Sequence, residues 1–131
     1  MPYIQITVAG APLSEAERRQ LHQLFTDEVH RLLHKRREVT AVAIAEVPSD
    51  RWAIDGEACA ARAAHAEILI TAGTNSATEK AALIAAADAG LRTILGPLPE
   101  ATYVVIREMA ADAWGYGGRT QQARLGARAA L

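Results

Sequence analysis

The residue with the most chemistry to offer is Pro2, directly behind Met1 at the head of "PYIQITVAG". If Met1 is removed, Pro2 becomes a chain-terminal secondary amine, which is a base. Terminal amines titrate near about 8, so little help is needed to poise one at neutral pH. An apolar surrounding or a neighbouring cation lowers the value further, because both disfavour the ammonium form. Such a group can take a proton α to a carbonyl and return it at a conjugated carbon. With Met1 retained the nitrogen is an amide, its lone pair tied up in resonance, and the site is silent. The structural alternative is that proline merely opens a strand, a position that tolerates its missing N–H.

Other chemistry-bearing residues are sparser. His30 and His34 lie four apart on a helix pattern and share a face, but no third ligand stands in register, so they read as a surface pair. Cys59, the one cysteine, sits in an alanine-rich stretch and suits packing better than nucleophilic attack. No phosphate loop, dinucleotide fingerprint or serine-triad context occurs, so neither a cofactor nor a metal is expected.

Pro2 is positioned by a repeated unit. "PYIQITVAG" alternates, with Ile4, Ile6 and Val8 on one side and Tyr3, Gln5 and Thr7 on the other. Ser14 and Glu17 have the spacing of a capping box and open a helix whose apolar residues are Leu21, Leu24, Phe25, Val29, Leu32 and Leu33. Lys35, Arg36 and Arg37 close it against the negative helix end, and "VTAVAIAEV" is a second strand. The series then restarts: "AEILITAG", a box at Ser76 and Glu79, a helix stopping at Gly96-Pro97, and "ATYVVIREM". An offset of 62 residues relates the copies, through Leu21/Leu83, Val29/Leu91, Val42/Val104, Glu46/Glu108, Trp52/Trp114 and Gly56/Gly118. These matches describe a duplicated β-α-β unit.

A strand, a long helix and a parallel strand make a right-handed crossover. Two of them predict an α+β fold, one four-stranded sheet with both helices on one face, in a single domain over residues 1–131. Its repeats span about 2–56 and 64–118, with a C-terminal tail. The other sheet face, carrying Tyr3, Gln5, Thr7, Ala41, Ala43, Ala45, Tyr103, Val105 and Arg107, is left for other copies of the chain to cover. "SDRWAIDGEACAARA" reads as a turn or hairpin joining the copies and "DAWGYGGR" as a tight hairpin or close backbone approach. The tail could form a short helix bearing Arg119, Arg124 and Arg128 near one side, though solvated charges are the default reading of these arginines.

Fourteen basic against fifteen acidic residues give a formal charge of −1, which argues against a nucleic-acid partner. No run is long enough to cross a bilayer, no signal pattern opens the chain, and a lone cysteine fits the cytoplasm.

Pro2 heading an alternating strand, together with "MAADAWGYGG", resembles the tautomerase superfamily, in particular the 4-oxalocrotonate tautomerase branch. The resemblance covers both copies and implies a fused two-unit member that assembles as a homotrimer. It implies a tautomerase, an isomerase using Pro2 as general base for keto–enol or 1,3-proton transfer on a small unsaturated or α-keto acid. Related chemistries are hydration, dehalogenation and decarboxylation with Pro2 as an acid, and a non-catalytic trimeric binding protein is the third reading. Trp114 aligns with the family's active-site aromatic, from the partner unit, and is expected to wall the pocket. The family's two carboxylate-binding arginines match Pro12 and Thr74, and Ala41 and Tyr103, so neither copy has either. Arg107 is the best substitute, with a subunit-interface salt bridge as its alternative role. Tyr103 could donate to a carbonyl oxygen or pack in an interface. Ala64 stands where the second copy would need its proline.

Overall fold

The protein is described by a computed structural model over residues 1–130, with side chains through 126. The chain runs β1 (Tyr3–Ala9), α1 (Glu15–Leu33), β2 (Ala41–Val47), the hairpin β3 (Ala53–Ile54) and β4 (Glu57–Ala58), then β5 (Ala63–Thr71), α2 (Ala77–Leu95) and β6 (Tyr103–Met109). A second hairpin, β7 (Gly115–Tyr116) and β8 (Arg119–Thr120), leads into α3 (Gln121–Ala130).

Both capping boxes form. Ser14 Oγ accepts from Glu17 N while Glu17 Oε1 accepts from Ser14 N, and Ser76 and Glu79 repeat the arrangement. Each cap satisfies two N–H groups that a helix start leaves without partners. α2 ends as its sequence dictates, at Gly96 with φ of 87°.

The strands form one sheet in the order β2-β1-β5-β6. β1 and β2 are parallel, β5 and β6 are parallel, and the first strands of the two repeats pair antiparallel at the centre. The repeats are thus related by a pseudo-twofold between β1 and β5. Ile4, Ile6 and Val8 of β1 and Ala64, Ala66, Ile68 and Ile70 of β5 are buried beneath both helices. Above them the buried helix residues fall at four-residue spacing, Leu21, Phe25, Val29 and Leu33 in α1 and Leu83, Ala87, Leu91 and Leu95 in α2. α1 and α2 approach closely at Gly90, where any Cβ would be pressed into the Leu24 side chain.

The opposite face is open. Its rows run Ala41–Tyr3–Leu69–Arg107, Ala43–Gln5–Glu67–Val105 and Ala45–Thr7–His65–Tyr103. They contain the nine residues the alternation assigned to that side, joined by Leu69, Glu67 and His65 of β5. The tail is helical, as read, but Arg119 belongs to β8, and the side chain of Arg128 lies outside the described residues. Among the described residues no helix is long and apolar enough to cross a membrane.

Candidate functional site

Pro2 is fully buried just ahead of β1, and its carbonyl accepts from Ala41 N at 3.4 Å across to β2. It lines a cavity of about 360 Å³ together with Tyr3, Val39, Leu69, Trp114 and Tyr116. That volume suits a small organic molecule, and the lining is mostly apolar. Trp114 comes from the end of the second repeat and Pro2 from the start of the first, so the site joins the two copies.

The β7–β8 hairpin holds Trp114 there. Gly117 and Gly118 have φ of 60° and 76°, the two positive values that the tightest hairpin turn requires. At Gly115 a Cβ would run into the Arg119 carbonyl, so only glycine lets the two short strands close. The indole Nε1 donates to Thr71 Oγ1 at 3.1 Å, and Thr71 is only 3% exposed, which fixes the ring's orientation.

A smaller polar chamber of about 150 Å³ adjoins this cavity and shares Met1, Val39 and Tyr116 with it. Lys35 projects into it. α1 stops at Leu33, and His34 turns the chain in a left-handed conformation with φ of 61°. The N–H groups of His34 and Lys35 bond back to the carbonyls of His30 and Val29, which sends the Lys35 side chain inwards. The sequence placed Lys35 as a cation on the helix end. It is instead 8% exposed, and its Nζ donates to Thr74 Oγ1 at 2.9 Å. Among the described residues no carboxylate lies within 4.0 Å of this ammonium. Burial pushes the Lys35 pKa down, with Glu79 at longer range pulling the other way. Thr74 is one of the positions where the resemblance expects an arginine, and Lys35 lays its charge against it.

α3 closes the chamber through Gln121 and Leu125. Arg124 stacks on Tyr116 with its guanidinium carbon 3.8 Å from the ring centre and donates to the Tyr116 carbonyl at 2.8 Å. Among the described residues, Gln121 Oε1 and Arg124 Nε of this helix are buried without a hydrogen-bond partner.

Two expected site residues lie elsewhere in the chain. Tyr103, 65% exposed on β6, lines a separate cavity of about 480 Å³ with Ile54 and residues 99–102. Under the 62-residue offset this is the mate of the Pro2 cavity, Ile54 matching Tyr116, Ala101 matching Val39 and Tyr103 matching Ala41. Arg107 Nε donates to Glu67 Oε1 at 2.7 Å on the open face, away from Pro2. Within one chain, therefore, Pro2 and Trp114 meet, while Tyr103 and Arg107 do not join them. Lys35 and Gln121 are the residues sequence reasoning missed. Periodicity carries no signal for either, because a left-handed turn aims one and the packing of a terminal helix aims the other. His30 bonds the Lys35 carbonyl through Nδ1 at 2.9 Å, and exposed His34 faces Glu79, so the histidine pair serves the helix end.

A sheet built from two β-α-β units back to back, with a buried proline facing an aromatic wall at its seam, defines a class of small two-unit α+β proteins. Residues 65–124 match the family model described as Tautomerase enzyme. That match covers most of the second repeat, and solved structures similar over nearly the whole chain share its fold. The chain is similar in fold to a fused 4-OT solved as a symmetric trimer, at 20% identity and a TM-score of 0.84 over 93% of this chain and 98% of that one. The same figures hold for Pt0534, solved after inactivation by 2-oxo-3-pentynoate. A macrophage migration inhibitory factor-like protein from Entamoeba histolytica matches at 18% identity and a TM-score of 0.75, over 91% of this chain and 97% of the other. No curated protein matches the sequence.

Proposed function

We propose that the chain is a Pro2-dependent tautomerase acting on a small enol or α-keto acid. The reading is carried by one observation: Pro2 is fully buried against an apolar cavity of about 360 Å³ that Trp114 walls from the other repeat. Removal of Met1 frees the ring nitrogen as an amine. Its apolar surroundings and the Lys35 cation nearby both favour the uncharged form, so the amine is a base at neutral pH. It accepts a proton from one end of the conjugated system and returns it at the other, which needs no second catalytic group.

Lys35 takes the part of the missing arginines and holds the substrate's carboxylate, leaving the reacting carbons beside Pro2 and Trp114. A cation in this place favours the base over the acid role, and so favours isomerisation over hydration, dehalogenation or decarboxylation. The fused 4-OT trimer offers a model for assembly. In a homotrimer the open sheet faces are covered, and the edge of the cavity at Ala41 meets a neighbouring copy, which supplies Tyr103 and Arg107 to the substrate.

The test is enol-to-keto conversion of phenylenolpyruvate and 2-hydroxymuconate by protein whose mature N-terminus is checked by mass. Pro2→Ala is expected to lower kcat/KM by about 10²–10⁴-fold, the range for loss of a general base. Rates equal to those of the parent protein would refute the proposal.

A further inference from the structure

The polar chamber holds two groups whose hydrogen-bonding capacity is unspent and opposite in sense. The Lys35 ammonium has three N–H donors and gives one to Thr74 Oγ1, with no carboxylate within 4.0 Å among the described residues. Gln121 Oε1 is a buried acceptor with no donor among the described residues. Buried polar atoms without partners are rare in folded proteins, and an orphaned acceptor on one residue lining the chamber, with an ammonium that has donors to spare on another, describes the ligand that completes them. The missing group must offer an anionic oxygen to Lys35 and an O–H or N–H donor to Gln121. A carboxylate with a hydroxyl on the next carbon carries both.

α3, which brings Gln121, has no counterpart in the first repeat, where β4 runs through residues 59–62 straight into β5. The roofed chamber therefore belongs to the Pro2 side alone. Met1 lines both the chamber and the Pro2 cavity, so its removal frees space at their junction.

We propose that Gln121 is a specificity-determining residue that accepts the O–H of a 2-hydroxy acid or 2-enol acid whose carboxylate is held by Lys35. This rests on the tautomerase reading of the site and adds a direction to it. The enol presents the donor that Gln121 needs; the keto form has lost it and leaves the oxygen unpaired. The enol is bound more tightly than the ketone it becomes, which favours product release. Simple unsaturated acids and 2-keto acids share the carboxylate but fail the second contact.

The experiment titrates the mature full-length protein with 3-phenyllactate and with 2-methoxy-3-phenylpropanoate, which differ in the hydroxyl donor. The hydroxy acid is expected to bind about tenfold tighter, the scale set by one unpaired buried acceptor. Gln121→Leu should bring the ratio close to one. Gln121→Met serves as a second variant, each checked for fold by circular dichroism. Lys35→Met should weaken both ligands and keep their ratio. A ratio near one in the parent protein, a preference for the methoxy acid, or a ratio unchanged in both Gln121 variants overturns the inference. Repeating the titration with Pro2→Ala separates the two proposals. Loss of turnover with the preference intact supports both. Unchanged turnover with the preference intact sinks only the proline mechanism.

Discussion

Lys35→Met exposes the tension between stability and function at this site. The parent residue holds an ammonium at 8% exposure against one neutral hydroxyl. A buried charge without a compensating partner is costly, and its burial has already pushed the Lys35 pKa below the ordinary 10.5. Methionine keeps an unbranched side chain of similar reach and removes the charge. Replacing buried ionic groups with apolar ones of like volume is often stabilising by about 1–4 kcal/mol. The lost Thr74 contact offsets about 1 kcal/mol of that. A net gain of roughly 0–3 kcal/mol is expected, up to several degrees in Tm for a chain of this size. The pH dependence has a definite sign. A lysine with a lowered native pKa binds its proton more weakly folded than unfolded, so burial of the charge destabilises the native state below that pKa. The cost fades as pH rises from the lowered value to 10.5. Melting curves of the two proteins should therefore differ most at neutral pH and converge in alkali. Binding of a small carboxylate should weaken at the same time by about tenfold or more, and the acidic limb of kcat/KM should move to higher pH as Pro2 loses a neighbouring cation. A variant that melts lower than the parent and binds carboxylates equally well would show that the ammonium is a structural strut, and the reasoning would fail.

Two further outcomes follow from the geometry. Gly115→Ala puts a methyl group into the Arg119 carbonyl, so the β7–β8 hairpin must move and carry Trp114 and Tyr116 with it. KM should rise and the tryptophan fluorescence should change, with a stability loss of about 1–3 kcal/mol in denaturant titrations. Glu17 is held at a pKa of about 2, chiefly by hydrogen bonding to Arg62, whose guanidinium also clasps the carbonyls of Ala11 and Pro12. Its stabilisation is complete above the ordinary 4.5 and is lost as pH falls towards 2. Glu17→Gln should flatten the acid side of the Tm profile, and an unchanged profile would assign acid sensitivity to other carboxylates.

Much of the fold was legible because its signals are local. The alternation of Ile4, Ile6 and Val8, the Ser14–Glu17 and Ser76–Glu79 boxes and the four-residue spacing from Leu21 to Leu33 are each properties of a few neighbouring residues. The 62-residue offset extended them to a whole architecture, because a unit seen twice constrains itself. The sequence also brought Pro2 and Trp114 together, and the two line one cavity. Lys35 was hidden because its direction depends on His34 adopting a left-handed conformation without being glycine or asparagine. Gln121 was hidden because the docking of α3 is tertiary. Tyr103 and Arg107 were assigned to the correct sheet face, but their relation to Pro2 depends on contacts between chains, on which strand periodicity is silent.

The two cavities related by the pseudo-twofold show what fusion makes possible. In an assembly of identical short units every site carries the same residues, so a change that improves a wall also alters a base. Here the copies have parted at each position that matters. Pro2 corresponds to Ala64, which lies inside β5 opposite Val8 and has no free amine to offer. Ala41, which leaves the Pro2 cavity open at its edge, corresponds to the bulky, exposed Tyr103. Gly115, which lets the second hairpin close tightly behind Trp114, corresponds to Ala53, and the first hairpin has no terminal helix behind it. Each difference gives the proline, the space and the closing helix to one cavity and withholds them from the other. Such a division needs separate genetic control of the two halves, and one polypeptide with two diverged repeats supplies it.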